Sequence, residues 1–567
     1  MNATSQSQSK ALQLDEIQGN SLGGFNKDNQ AMLFLRITDA AKAKATLSGS
    51  SNVLADVTDS SSEQVIRFNN QFKALRSRGV PEGTILASWT NLVFTFAGLR
   101  KLRADNLKDG DFPEAFTQGM RNRADQLGDN ANNAPDKWDP LVDWENIDAV
   151  LIVASDDKTQ VDPAAANSRL AAYITAINTP ESGLEFAIKA GANVPVTPFQ
   201  APGQIYGRTR VDQPGHEHFG FKDGVSQPGV RGIDPPDDTV ANPDQGQPGQ
   251  DLLHPGEFII GYPRQKPGAK KHHDGPNPDP GIISGSGQFY TNGNGADGRD
   301  AIDPFGSRVK LPDWTRNGSF VVFRRLKQDV AAFSDFIDQT AGQLNLSPDL
   351  FGAKLVGRYK SGAPLEPRTF AGSSAAPDAH VTDPGEVNPA LGNDNTVNNN
   401  FEYGDDPDGN FVPRASHIRK VYPRDQVPDA EFGLPADVGD DAESRTQTHR
   451  ILRRGIPYGE SLGAPGPGGA PNADRGLLFI CYQSDLERQF EFVQKNWVDD
   501  RNFPAEGAGL DALISNKLPG SIDGCPFHPA GKASACPVTI PSFIVTRGGE
   551  YFFAPSISAL TDMLKAG

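Results

Sequence analysis

Hydrophobic positions in the first 215 residues switch repeatedly between a period of two and a period near 3.6, which predicts alternating strands and helices. The runs AMLFLRI (31–37), NLVFTF (91–96) and IDAVLIVASD (147–156) are rich in aliphatic and aromatic residues and predict strands. Between them, SEQVIRFNNQFKALRSRG (62–79) carries apolar residues at helical spacing and ends on a glycine stop. AGLRKLRAD is amphipathic, and PAAANSRLAAYITAIN (163–178) predicts a helix opened by proline in its first turn. GLEFAIKAG (183–191) closes the set. This β-α-β-β-α-β rhythm predicts an antiparallel sheet with helices on one face, the split βαβ arrangement.

The same vocabulary returns in the second half. GSFVVFRRLKQDVAAFSDFIDQTA (318–341) predicts a strand running into a helix, while GLLFICYQ (476–483) and SFIVTRGGEYFF (542–553) predict strands around a helix in DLERQFEFVQKN (485–496). The repetition predicts an α+β chain of two tandem sheet-plus-helix domains, at 1–215 and 216–567. Stretches rich in Pro, Gly, Asp and Asn at about 232–316 and 363–413 interrupt the second domain as long loop insertions.

Composition narrows the function. With 54 Lys and Arg against 71 Asp and Glu, the chain carries a net charge of −17. No basic stripe offers phosphates a footprint, which excludes nucleic acid as a partner. No apolar run approaches the ~20 residues that cross a bilayer. The N-terminus MNATSQSQSKALQLDEIQGN lacks the apolar stretch of a signal peptide, so a cytoplasmic protein is expected unless the N-terminus was processed. Three cysteines argue against a disulfide scaffold. Cys481, inside LLFICY, is expected as a buried thiol. Cys525 and Cys536 flank His528 without a fourth zinc ligand nearby, so two loop thiols and one local disulfide both remain open.

Nine histidines compete for chemical roles. His216 and His218 would point to one face of a strand and could hold a metal, whereas His272 and His273 sit in a lysine-rich loop. His254, His380, His449 and His528 lack ligand-like spacing. His417 differs, because Arg414, Arg419, Lys420 and Arg424 crowd around it in VPRASHIRKVYPR, within an otherwise acidic chain. Guanidinium forks match carboxylates, so this cluster would suit an anionic cofactor beside an imidazole ligand; a solvated helix end is the plainer alternative. Arg453 in HRILRRGIPYG either closes a strand or holds charge in a cavity. The Asp-Gly pair at Asp223, in HFGFKDGVSQPG, is one of six in the chain, and most such pairs are turns.

Taken in order, GFKDG (220–224), HIRKVYPR (417–424) and ILRRGIPYG (451–459) resemble motifs of the dye-decolorizing peroxidases, a family of haem enzymes. EIQGN (16–20), GRYKSGAPL (357–365), RGLLFICYQ (475–483) and GGEYFF (548–553) are similar to further family segments, so the resemblance spans nearly the whole chain and is closest to the long fungal and bacterial forms. VYPR stands where Asn-Pro-Arg is the commoner spelling.

The resemblance implies two ferredoxin-like α+β domains with antiparallel sheets, with one haem b per chain in the C-terminal one. It implies His417 as the proximal iron ligand, Asp511 as the partner of that histidine, Asp223 as the acid–base for hydrogen peroxide and Arg453 as the stabiliser of O–O cleavage. Gly220 and Gly224 would let the backbone approach the macrocycle, Phe221 would contact it, Arg419 would meet its carboxylates, and Leu477 and Phe479 would wall the pocket. Tyr458 and Trp497 would carry electrons from bulky aromatic, dye-like or phenolic substrates. A haem-binding or chlorite-dismutase-like relative without peroxidase turnover is the alternative, and a metalloprotein built on His216 and His218 a more distant one. Homo-oligomerisation, and docking of the tail SISALTDMLKAG on an encapsulating shell, stay open.

Overall fold

The computed structural model describes residues 12–265, 311–365, 388–426, 446–527 and 536–565, apart from 82, 104–106, 166, 194–195, 236–244, 263 and 405. Much of both insertions, with His272, His273, His380 and His528, therefore lies outside the described residues.

In the first half, the strands Asn29–Ile37, Ser88–Phe94, Ala149–Ser155 and Leu184–Phe186 lie across the sheet in the order fourth, first, third, second, every pair antiparallel. The second half repeats this order. Its first strand is Ser319–Gln328, its second is the pair Leu452–Arg453 and Ile456–Tyr458, its third is Gly476–Gln483, and its fourth is Ile544–Ala554. These are two tandem ferredoxin-like α+β units. They join edge to edge where Phe553 pairs with Phe94. At the far end, Gln204–Arg208 packs on the second unit's edge, with Gly207 so close that a Cβ would lie 2.4 Å from Ile456 Cγ2. The eleven-stranded sheet thus curls back on itself.

Aromatic side chains fill the interior of the curl. Phe34 of the first unit meets Trp144 at 5.6 Å and Phe323 of the second at 5.4 Å between ring centroids. One core therefore serves both units, and the polar positions alternating with it are pushed to the other face of the sheet.

Two helix boundaries differ from the expectations. The helix sought at 163–178 begins only at Arg169, because the Ser168 hydroxyl accepts the Ala171 N–H at 3.2 Å and caps it there. The helix sought at 485–496 is held off at its start, where Asp485 Oδ1 accepts the N–H groups of Glu487 and Arg488, each at 3.1 Å, in a turn. Helical residues follow only at Phe490–Phe492, continued by wider π-type turns over Val493–Val498. The C-terminal tail forms the helix Ile557–Leu564, whose Ile557, Leu560, Met563 and Leu564 are buried on the chain itself, with Ile557 N donating to Glu16 O at 2.9 Å. No helix among the described residues is long and apolar enough to cross a membrane. Cys481 is buried as expected, and burial pushes its thiol pKa up. Cys525 and Cys536 sit on the paired strands Gly520–Phe527 and Cys536–Ile540, but their side chains lie outside the described residues.

Glu550 lies at the contact between the units, where its Oε1 accepts the N–H groups of Met120 and Tyr551 at 2.7 Å each. Burial pushes its pKa up to about 7, against partial relief from those two donors. A carboxyl whose folded pKa exceeds its unfolded one costs no stability at low pH. The cost grows as pH rises from the unfolded value toward 7 and is complete above it, on the order of 3 kcal/mol. Glu550→Gln keeps the accepting oxygen and removes the charge. The variant is expected to melt at a higher temperature than the parent at pH 8 and at an equal one at pH 4. Equal gains at both pH values would remove this account.

Candidate functional site

The outer face of the second unit's sheet floors a cavity. Along Ser319–Gln328 the alternate residues Arg324, Leu326 and Gln328 line it, and along Gly476–Gln483 so do Leu477 and Phe479. Between those two, Leu478 is fully buried in the core, as the two-residue period of a strand requires. Leu477 and Phe479 thus stand where the sequence placed them. The cover comes from the GFKDG loop, the His417 helix and residues 449–451, with Arg453 reaching in from the edge strand Leu452–Arg453.

His417 opens the five-residue helix His417–Val421. A helix this short does not hold itself, and its neighbours fasten it. Ser416 Oγ donates to the Lys354 carbonyl, and Lys420 Nζ donates to the carbonyls of Asp500, at 2.6 Å, and Phe503. Arg419 is wholly buried, and its guanidinium donates to Asp406 O at 2.6 Å, to Asp406 Oδ2 at 3.1 Å, to Val412 O and to Gln426 Oε1. Arg419 therefore does not reach the cavity, contrary to expectation, because protein acceptors already engage it. Arg414 is likewise turned to Pro407 O at 2.8 Å and Asp408 at 3.2 Å.

The His417 ring faces the cavity and sends Nδ1 to Asp511 Oδ2 at 3.0 Å. Asp511 is fully buried, and its other oxygen accepts the N–H groups of Leu513 and Ile514 at 2.8 and 2.9 Å. Burial alone would raise the Asp511 pKa, but His417 beside it and these donors outweigh burial and hold it below the ordinary value. An ionised carboxylate only accepts, so Nδ1 carries the hydrogen and the lone pair of Nε2 is left for a ligand.

Asp223 opens on the same cavity. Arg453 Nη1 donates to its Oδ1 at 2.8 Å, and the Gly224 N–H donates to the same atom at 2.6 Å. The side chain keeps 36% of its surface open, which faces the cavity. Burial opposes ionisation, but Arg453, the Gly224 N–H and the more distant His417 together hold the Asp223 pKa below the usual carboxylate value. Arg453 is fixed in turn, since Nη2 donates to Ser226 O at 2.9 Å and its backbone exchanges hydrogen bonds with the Gln227 side chain. Glu217, which the sequence reading missed, ties the loop together by accepting the Phe219 and Phe221 N–H groups at 2.8 Å each.

Within the loop, Phe221 lines the cavity and is buried against Phe333. Gly224 also lines it, at φ +73° with open space where a Cβ would stand. Gly220 does not line the cavity. Its φ of +93°, a left-handed turn, accounts for that glycine, and a Cβ there would make ordinary contacts with the Lys360 side chain at 3.6 Å and the Gln213 side chain at 3.7 Å. The proposed approach to a macrocycle thus holds no support at Gly220.

A cationic wall completes the site. Arg424, the one member of the basic cluster that lines the cavity, adopts φ +55° and lies 4.1 Å over the Phe401 ring. Although only 3% exposed, its guanidinium has no hydrogen-bond partner among the described residues. Arg358, buried in GRYKSGAPL, also lines the cavity, and burial followed by the charge of Arg424 pushes its pKa down to about 9. Tyr403 lines the same wall, fully buried, and its hydroxyl has no hydrogen-bond partner among the described residues. Tyr422, Arg450 and His449 line the same cavity. Nothing in the spacing of His449 or Arg358 marks them, because both reach the wall through long-range packing.

Two other expectations are corrected. Tyr458 and Trp497 are buried and line no part of the cavity, Tyr458 under Arg325 and Trp497 stacked on Phe503 at 5.2 Å, so neither can itself meet a bulky substrate. His216 and His218 do not converge. His216 sits at the carbonyls of Pro214 and Lys360, and His218 Nε2 donates to Tyr458 O at 2.8 Å. No cluster suited to a metal ion occurs among the described residues.

Comparison with known proteins adds to this geometry. Residues 16–179 match the model of the DyP dimeric alpha+beta barrel domain, and residues 436–506 that of the Dyp-type peroxidase C-terminal domain. The chain is 30% identical to dye-decolorizing peroxidase msp1 of Mycetinis scorodonius, over 99% of this chain and 90% of that one. An ancestral D-type dye-decolorizing peroxidase superimposes with a TM-score of 0.68 at 30% identity, covering 98% of this chain and all of that one. The structure of a decolorizing peroxidase from Auricularia auricula-judae gives 0.67 at 26% identity, over 98% of this chain and 100% of that one.

Proposed function

The chain belongs to the dye-decolorizing peroxidase family, and from that premise we propose that it reduces hydrogen peroxide with one haem b per chain and oxidises bulky aromatic or phenolic compounds. The observation that carries this reading is the Asp223–Arg453 pair opening on the cavity that His417 also lines, its Nε2 without a hydrogen-bond partner among the described residues.

The residues present fit haem. Leu477, Phe479, Ile451 and Leu513 give apolar wall for a flat ring. The Tyr403 hydroxyl and the Arg424 guanidinium, without hydrogen-bond partners among the described residues, form a donor set for carboxylates, while Arg358, already engaged by Gly362 O, Asn398 O and Asn399 Oδ1, adds only its charge beside them. His417 Nε2 would hold the iron, and Asp511 would raise the basicity of that imidazole. When bound, haem supplies the redox centre that accepts oxidising equivalents from peroxide.

The side chains do the rest. Peroxide must lose a proton from one oxygen and gain it on the other before the O–O bond parts into water. Asp223, ionised at working pH, takes the proton and returns it at the second oxygen. Arg453 stabilises the negative charge that grows as the bond lengthens, and its hydrogen bond keeps the Asp223 carboxylate aimed. A mere haem carrier would have no use for this pair.

Loading the purified protein with haem tests the proposal. A Soret band and peroxide-dependent oxidation of a bulky dye and of a phenol are expected. Absence of the band would overturn the haem reading, and a band without oxidation would favour the alternative of a haem-binding relative without turnover.

A further inference from the structure

Tyr422 closes the His417 helix and lines the cavity. Its hydroxyl donates to Asp251 Oδ2, and Arg450 Nη1 donates to that same oxygen at 2.8 Å. The Arg450 guanidinium carbon lies 3.5 Å from the Tyr422 ring centroid. All three side chains are buried, so phenol, carboxylate and guanidinium meet away from bulk water at the cavity wall. The peroxide step already described uses none of them.

We propose that Tyr422 is a redox-active residue that holds an oxidising equivalent inside the protein, with Asp251 as the acceptor of its phenolic proton. This rests on the peroxidase reading, which supplies the oxidant. In the step, Tyr422 gives one electron to the centre oxidised by peroxide, and its O–H bond breaks. The proton forms a new O–H bond on Asp251 Oδ2, leaving a neutral phenoxyl radical beside a neutral carboxyl. One electron from an aromatic reductant and the proton from Asp251 then restore the phenol.

The geometry suits each part. A ring in the cavity wall touches whatever fills the cavity, so electron transfer is short. An oxidised phenol is a very strong acid, and the step therefore needs a base already in hydrogen-bond reach, which Asp251 provides. Before oxidation the phenol stays protonated, because burial and the neighbouring carboxylate push its pKa up against the opposing pull of Arg450 and Arg424. After the transfer, Arg450 faces a neutral carboxyl. Its uncompensated charge favours return of the proton to the phenol, which makes the stored state temporary.

The test is electron paramagnetic resonance of the holoenzyme, mixed with stoichiometric hydrogen peroxide without reductant and frozen rapidly. A tyrosyl signal is expected, narrowed by ring-deuterated tyrosine. Tyr422→Phe keeps the ring against Arg450 and is expected to lose the signal, while its Soret band still shifts on adding peroxide. Asp251→Asn, which offers the phenol an oxygen but no base, is expected to weaken it. A signal unchanged in Tyr422→Phe, or no tyrosyl signal in a parent whose Soret band does respond, would overturn the inference alone. A parent whose Soret band ignores peroxide would overturn the peroxidase reading and this inference with it.

Discussion

Asp223→Asn is expected to lower the rate of reaction with peroxide by roughly 10²–10⁴-fold, the usual contribution of a positioned acid–base group, while haem stays bound. Asparagine retains the shape and can still accept from Arg453 and Gly224, so the loop should keep its form. What it lacks is a site for the travelling proton. The measurement is the bimolecular rate of the peroxide-induced Soret change, with the resting spectrum as the control for haem. Full reactivity in the variant would exclude Asp223 as the shuttle. The pH profile gives a second check. The carboxylate is the active form, present above its pKa, and the surroundings hold that pKa below the ordinary aspartate value. Activity should therefore persist into acid, where an imidazole base with a pKa near 6.5 would be protonated. Arg453→Leu removes the main ionising influence and leaves burial, so its acid limb should move to higher pH.

His417→Ala is expected to abolish stable haem retention, seen as loss of the Soret band after gel filtration, with partial recovery when free imidazole is supplied. Among the described residues, the ring is the only imidazole of the cavity wall whose Nδ1 is tied to a buried carboxylate. Asp511→Asn is the milder companion. It keeps a hydrogen-bond acceptor but removes the charge, and such outer partners of a ligating histidine are typically worth about 10–100-fold in affinity or activity. Retention of haem by His417→Ala at parental strength would move the ligand assignment elsewhere, His449 being the other histidine on the cavity wall.

Much of this protein was legible before its structure. Strands such as Gly476–Gln483 announced themselves through two-residue alternation, and the same alternation put Leu477 and Phe479 on the cavity side. His417, Asp223 and Arg453 were found by the company of their motifs and Asp511 by the family resemblance alone, and the chain brings all four to one place. Arg419 shows where motif reading stops. Two residues along a helix turn a side chain about 200° from its neighbour, so Arg419 was bound to leave the face that His417 occupies.

What the sequence by itself determined was the set of strands, their repetition and the chemical types available for catalysis, because alternation, caps and motif spacing are local properties. Tertiary structure alone decided that the two units share one curled sheet and that Arg358, Tyr403 and Arg424 converge. It also decided that Tyr422 meets Asp251 and Arg450. These meetings join residues up to 199 positions apart, between Asp251 and Arg450. The reason is physical: a side chain's neighbours across the fold are set by how the sheet face and its covering segments pack, and no local period encodes that packing.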